Sequence, residues 1–167
     1  MSDARIRRGT GDDLPDLTEL YNHYVRETAI TFDIEPFTPA TRRPWFEQFA
    51  AQGRHQLFIA ERRGRVLGYA CAGSFRPKAA YGPSVETSVY LRPEEHGRGL
   101  GTRLYTELFE ALAGEDVHRA YAGITLPNPA SLALHTRFGF RDCGSFSEVG
   151  RKFERWWDVL WMEKGLG

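Results

Sequence analysis

Three stretches hold residue types and spacings that can do chemistry. The first is "HGRGLG", residues 96–101, in which Gly97, Gly99 and Gly101 fall within five positions and run straight into an apolar pattern of helical period. Glycine lets a chain turn sharply and lets a ligand approach the main chain closely. The first amides of the helix that follows have no internal partner. Converging N–H groups and the helix dipole therefore favour an anion, a phosphate above all. His96 and Arg98 add polar groups to the same loop, Leu100 opens the helix and Thr102 follows it. A tight surface turn ahead of a helix has the same composition, so the loop alone leaves both readings open. Two phosphate motifs are excluded by spacing. A P-loop needs Gly-Lys-Ser/Thr, but Gly101 is followed by Thr102 and Arg103; a dinucleotide fingerprint needs its third glycine where Thr102 stands.

The second stretch, "SVETSVYL", places the carboxylate of Glu86 in an otherwise uncharged run. Partial burial would raise its pKa toward neutrality and make it a proton acceptor, whereas solvent or an arginine partner would leave it an ordinary strand carboxylate. The third, "LALHTRF", carries His135, whose ordinary pKa near 6.5 suits proton relay, although a lone histidine beside leucines is also a common structural residue. Ahead of Glu86, "FRPKAAY" brings Arg76, Lys78 and Tyr81 together. Two cations beside a base suit a substrate with a carboxylate, and a solvated loop would look the same. No Ser/His/Asp or Cys/His constellation and no metal-ligand spacing accompanies them.

The elements that must position these residues alternate along the chain. A short strand over "ARIRRGT" precedes a Thr10/Asp13 capping box and a helix with Leu14, Leu17, Leu20, Tyr21 and Tyr24 at helical spacing. A second helix is capped by Thr38, begins at Pro39, shows Trp45, Phe46 and Phe49, and stops by Gly53, with Pro44 positioned to split it. "HQLFIAERRGRVLGYACAGSFRP" reads as a hairpin turning at "RRGR". In the next strand Val85, Thr87, Val89 and Leu91 face one way and Glu86, Ser88 and Tyr90 the other. Leu100, Leu104, Leu108 and Leu112 mark one face of a helix that ends by Gly114. A strand over "RAYAGITL", a short helix over "PASLALHTRF" closed by Gly139, and a last strand over "WWDVLWMEK" complete the order. This predicts a mixed α/β domain over residues 1–167, a central twisted mixed β-sheet with helices on both faces.

Composition narrows the partners. A chain of 167 residues forms one ordinary domain. Lysine plus arginine and aspartate plus glutamate both number 22, so no basic surplus points to nucleic acid or an anionic membrane. No apolar run reaches the length of a bilayer span. Cys71 and Cys143 lie far apart, read as small core residues, and fit a reducing cytoplasm.

With these residues in view, "HGRGLG" resembles the pyrophosphate motif of the GCN5-related N-acetyltransferase (GNAT) superfamily: Gln or Arg, two residues, Gly, one residue, then Gly or Ala. His96 takes the Gln/Arg place, a departure from that pattern. "LPNPASLALHTRFGF" (126–140) is similar to the family's second acetyl-CoA segment. "YNHYVRETAITFDIEP" (21–36), "FRPKAAYGPSVETSVYL" (75–91) and "HTRFGF" (135–140) resemble the phosphinothricin and methionine sulfoximine acetyltransferase branch. The resemblance implies the acyl-CoA N-acyltransferase fold, acetyl-CoA as co-substrate, no metal, a small amino acid as acceptor and a homodimer. It implies Glu86 as general base and His135 as acid or relay. It assigns Val89 and Leu91 to the pantetheine arm, residues 97–102 to the diphosphate and Asn128 to the arm. Arg76, Lys78 and Tyr81 fall to the acceptor, with Phe32 as pocket wall, the core being that aromatic's default. Acyl transfer to an amine fits a single base, since deprotonating an amine some two to three units above ambient pH costs roughly 3 to 4 kcal/mol while a thiol of pKa about 8.5 departs readily. Other amine acceptors, or a non-catalytic acyl-CoA sensor, are the competing readings; charge balance and the Arg76/Lys78 pair disfavour cationic acceptors.

Overall fold

The structure, a computed structural model, describes residues 4–167. Its elements run β1 (Arg5–Arg8), α1 (Leu14–Glu27), α2 (Pro39–Glu47), β2 (Gln56–Arg62), β3 (Arg65–Ser74), β4 (Ser84–Leu91), α3 (Leu100–Leu112), β5 (Arg119–Thr125), α4 (Pro129–Arg137), β6 (Arg141–Lys152) and β7 (Arg155–Gly165). The strands form one seven-stranded sheet in the order β1-β2-β3-β4-β5-β7-β6. Neighbours are antiparallel except β4 and β5, which α3 links in parallel.

Alternation along the strands sends one set of side chains to each face, and each face is covered by helices. Leu100, Leu104, Leu108 and Leu112 of α3 bury against Phe58, Ala60, Ala70, Val85 and Ala120, with Leu132 and Leu134 of α4 packed alongside. On the opposite face, Leu17, Leu20 and Tyr24 of α1 meet Leu57, Ile59, Tyr69 and Cys71, and Trp45, Phe46 and Phe49 extend that layer. Asp13 joins α1 to β1: it accepts from the Thr10 amide at 2.7 Å and takes both Arg7 terminal nitrogens at 2.8 and 2.9 Å.

The expected architecture is present, with three differences. Pro44 stays inside α2 without splitting it. The strand β6 lies outside the expected elements: its sequence carries Gly144, Gly150 and scattered charges instead of alternation, and it forms by hairpin pairing to β7. The turn between them places Phe153 and Glu154 at φ of 53° and 58°, the left-handed pair of a primed turn with no glycine to announce it. Cys143, expected in the core, is exposed on β6, whereas Cys71 is buried.

Candidate active site

The site begins where two strands part. Pairing of β4 with β5 covers only Ser84, Val85 and Glu86 against Arg119, Ala120 and Tyr121. Beyond that point β4 continues along β3 to Leu91, and β5 continues along β7 to Thr125, so each turns an unpaired main-chain edge toward the other. A cleft of about 410 Å³ opens in this fork, on the α3 side. On the α1 and α2 side lies a second cavity of about 440 Å³. Ile30, Ser88, Tyr90, Gly123 and Thr125 line both, so the fork joins two chambers through the sheet.

The glycine loop closes the first cleft. Gly97 and Gly99 have φ of 73° and 77°, and Gly99 is the N-cap of α3. Nothing stands within 4 Å of where a Cβ would be at either, so the requirement is conformational rather than steric. The first helical bond runs from the Arg103 amide to the Gly99 carbonyl at 3.1 Å, which leaves the amides of Leu100, Gly101 and Thr102 as free donors. A buried carboxylate holds the loop's entry, Glu95 accepting from Arg62 at 3.0 and 3.2 Å. The Tyr24 hydroxyl donates to the Leu91 carbonyl and meets His96 Nε2 at 2.9 Å.

Val89, Leu91, His96, Gly97, Gly99, Leu100, Gly101, Thr102, Asn128 and His135 line this cleft. Arg98 does not; its exposed side chain lies 4.0 Å from Glu95. Asn128 caps α4 by accepting from the Ser131 amide at 3.1 Å. Arg137, which the sequence did not single out, also lines the cleft and donates to Thr102 Oγ1 at 3.4 Å.

His135 is 4 % exposed. Its Nδ1 is 2.7 Å from the Ser131 carbonyl, which can only accept, so that nitrogen carries the proton. Nε2 is then turned to the Tyr105 hydroxyl at 2.8 Å, which in turn lies 3.2 Å from Thr87 Oγ1. Burial lowers the imidazole's pKa, partly opposed by the Ser131 bond, so the ring is neutral near pH 7. The chain His135–Tyr105–Thr87 ends one residue from Glu86.

Glu86 stands at the apex of the fork, its side chain in the second cavity with Phe32 and Arg42. Desolvation raises its carboxyl pKa and the charge of Arg76 pulls it partly back. Arg76 follows β3 on the exposed loop, its guanidinium 5.0 Å from the Phe75 ring centre, and Phe75 stacks on Tyr121 at 4.6 Å. Arg76, Lys78 and Tyr81 share that loop and line neither cavity; of the three, Arg76 acts on Glu86 through its charge. Phe32 lines the second cavity against β6, where a Cβ at Gly150 would overlap its ring.

Sequence reading passed over Tyr24, Arg42, Tyr105 and Arg137. Arg42 had a signal: it falls three residues before Trp45 and seven before Phe49, on the apolar face of its helix. Tyr105 had only its place beside Leu104 and Leu108.

Known proteins share this arrangement of chain. The model of the Acetyltransferase (GNAT) family matches residues 17–140. The chain is 54 % identical over 167 residues to a phosphinothricin N-acetyltransferase of Streptomyces coelicolor, covering 99 % of this chain and 98 % of the relative. It is 38 % identical over 163 residues to an L-methionine sulfoximine/L-methionine sulfone acetyltransferase of Pseudomonas paraeruginosa, covering 98 % and 95 %. The crystal structure of a phosphinothricin acetyltransferase from Sinorhizobium meliloti in complex with AcCoA superimposes with a TM-score of 0.91 at 34 % identity, covering 98 % of this chain and 89 % of that one. A forked sheet closed by a glycine-started helix, and likeness along the whole length to such relatives, place the chain in the Acetyltransferase (GNAT) family, to which it belongs.

Proposed function

We propose that this protein is an acetyl-CoA-dependent N-acetyltransferase that acetylates the α-amino group of a small amino acid such as phosphinothricin, methionine sulfoximine or methionine sulfone, with Glu86 as general base. The observation that carries this reading is the fork: it joins a cleft built for a phosphorylated, extended ligand to a chamber holding a carboxylate of raised pKa. The relatives' activities support the choice of acceptor.

The residues fit the coenzyme. The unpaired edge of β4 at Val89 and Leu91 can pair with the pantetheine amides as an added strand would. Amides from Gly97 to Thr102 face the diphosphate, with Arg137 and His96 beside them, and Asn128 reaches the arm. Bound there, acetyl-CoA supplies an activated acyl group whose thiolate is a good leaving group, the thiol pKa being about 8.5.

Glu86 then accepts the proton that the acceptor's ammonium must lose, directly or through a water, as the amine nitrogen forms its bond to the acyl carbon. The carbon–sulfur bond breaks as that bond forms, and the thiolate takes up a proton. His135, which lines the same cleft, is the relay for this proton: it gives the thiolate its Nδ1 proton and regains one from solvent, so the ring starts and ends neutral. Arg76, whose charge acts on Glu86, holds the acceptor's α-carboxylate beside it. The opening through the sheet is walled by Ile30 and Phe32 on the acceptor side.

The enzyme works as a homodimer in the cytoplasm, a compartment that matches its two free cysteines. The deciding experiment is Glu86→Gln. The variant is expected to bind acetyl-CoA with wild-type affinity in calorimetry and to lose roughly 10² or more in kcat; unchanged kcat with phosphinothricin removes Glu86 from the mechanism.

A further inference from the structure

Arg42 is a buried cation that the steps above leave unused. It lies on α2 and is 5 % exposed. Its guanidinium is sandwiched between the Tyr21 and Trp45 rings, 3.7 and 4.0 Å from their centres. One terminal nitrogen donates to the Tyr69 hydroxyl at 3.3 Å, and the buried Nε has no hydrogen-bond partner. Among the described residues no carboxylate forms an ion pair with it. Burial keeps the adjoining hydroxyl and thiol groups neutral, pushing Tyr21 and Cys71 up to about 12 and holding Tyr69 and Tyr90 well above the ordinary tyrosine range. The carboxylates of the same cavity, Asp33 and Glu86, form no ion pair with it, Asp33 accepting from the Tyr21 hydroxyl instead. A desolvated charge with no counter-ion and an idle donor is costly, and aromatic faces offset only part of that cost. Arg42 lines the acceptor cavity, together with Glu86.

Its place along the sheet tells which part of an acceptor it meets. Arg42 is tied to Tyr69, which pairs with Tyr90 across β3 and β4. Glu86 stands four residues before Tyr90 on the same face, their Cα atoms roughly 13 Å apart by strand rise, and the side chains of Glu86 and Arg42 reach into one cavity between them. An α-carboxylate lies immediately beside its amine, so it stays near Glu86 and Arg76. The distal end of the side chain is the part that extends toward Arg42.

We propose that Arg42 sets acceptor specificity by donating to an oxygen at the end of the amino acid's side chain, so that the cavity prefers a side-chain oxyanion, phosphinate or carboxylate, over a neutral sulfone and a sulfone over a thioether. The proposal rests on the acetyl-transfer reading and adds to it the chemical class of the acceptor's far end. A planar cation fixed between two rings loses little freedom when it binds such a group, which makes it a selective receptor instead of a flexible one.

The test compares phosphinothricin, methionine sulfone and methionine in wild type, R42K and R42Q, by thiol-release kinetics and by calorimetric binding of each amino acid. The wild type is expected to rank them in that order by kcat/KM. In R42Q the preference for phosphinothricin over methionine should shrink roughly 10²-fold, mainly through KM, because a buried anion then lacks its partner; R42K should keep part of it. Acetyl-CoA affinity, built in the other cleft, reports that R42Q is folded. An unchanged phosphinothricin-to-methionine ratio in R42Q overturns the proposal. If R42Q also loses acetyl-CoA binding, the wild-type ranking and R42K decide, and a wild type indifferent between phosphinothricin and methionine overturns it as well. If the wild type binds phosphinothricin more tightly than methionine in calorimetry, R42Q loses that difference, and neither amino acid is acetylated, the proposed function falls while the role of Arg42 stands.

Discussion

Glu86 gains its basicity from burial, and the same burial fixes how activity and stability respond to pH. Desolvation raises its pKa above the ordinary 4.5 and Arg76 partly restrains the rise. A base must be ionised to act, so kcat/KM should climb with pH along a limb whose midpoint lies above 4.5. Arg76→Ala removes the restraint, and the limb should move to higher pH; a limb that moves down or stays fixed would show that Glu86 is not the titrating group. Stability runs the other way. A carboxyl whose folded pKa is raised favours the fold while protonated, below the unfolded pKa, and that contribution disappears as pH rises through the folded value. Ionised Glu86 therefore weakens the fold at neutral pH, and Glu86→Gln should melt higher than wild type at pH 7 but not at pH 4. His135 differs in sign, since burial lowers its pKa and keeps it neutral where the enzyme works.

At the level of elements, the fork and the loop divide the work: β4 and β5 part to offer main-chain edges, and the turn before α3 points amides into the gap. The loop's need is for left-handed backbone at Gly97 and Gly99. Gly99→Val forces a β-branched residue into φ of 77°, where the chain must shift and the first-turn amides turn with it. Calorimetry should then show acetyl-CoA affinity reduced at least tenfold, with phosphinothricin binding less affected; wild-type coenzyme affinity would discredit the loop as its seat. Much of this was legible in the sequence, because glycine spacing and the four-residue leucine ladder of α3 are local consequences of local geometry. The alternation in "SVETSVYL" correctly sent Val89 and Leu91 to the α3 face and Glu86 and Tyr90 to the acceptor face. The parting of β4 from β5 left no such mark, since it depends on which strands pair and where pairing stops. Arg42 was hidden because a cation on an apolar helix face reads as an error of phase until Tyr21, 21 residues earlier, is seen to cover it. Lys78 and Tyr81 were grouped with Arg76 by proximity in the chain; the turn at Ala79–Tyr81 does bring the Tyr81 ring to 5.9 Å from the Arg76 guanidinium, yet neither Lys78 nor Tyr81 lines the acceptor cavity.

Across the molecule, four of the eight exposed large hydrophobics among the described residues stand at one end of the sheet. Strand β6 is an edge strand, and on it and the turn to β7 stand Phe146, Val149, Phe153 and Trp156, each more than half exposed at 52 to 55 %. Unpaired edges and clustered apolar side chains invite a partner, and a chain with equal positive and negative charge has no net repulsion to keep copies apart. The same hairpin supports the acceptor chamber: Lys152 donates to the Thr31 carbonyl at 2.8 Å, and the Phe32 ring lies against Gly150. Covering the hairpin with a second copy would therefore stiffen the wall around the acceptor without touching the glycine loop. Sedimentation of the wild type at micromolar concentration should give twice the 19.0 kDa chain mass, and the double variant F153E/W156E should sediment as a single chain. If the hairpin links assembly to the acceptor chamber, the double variant should raise KM for the amino acid several-fold and leave acetyl-CoA affinity unchanged. A wild type that sediments as a monomer, or a monomeric variant with unaltered KM, would separate the exposed hairpin from the site, against the links made by Phe32, Lys152 and the pairing of Phe146 with the cavity-lining Val159.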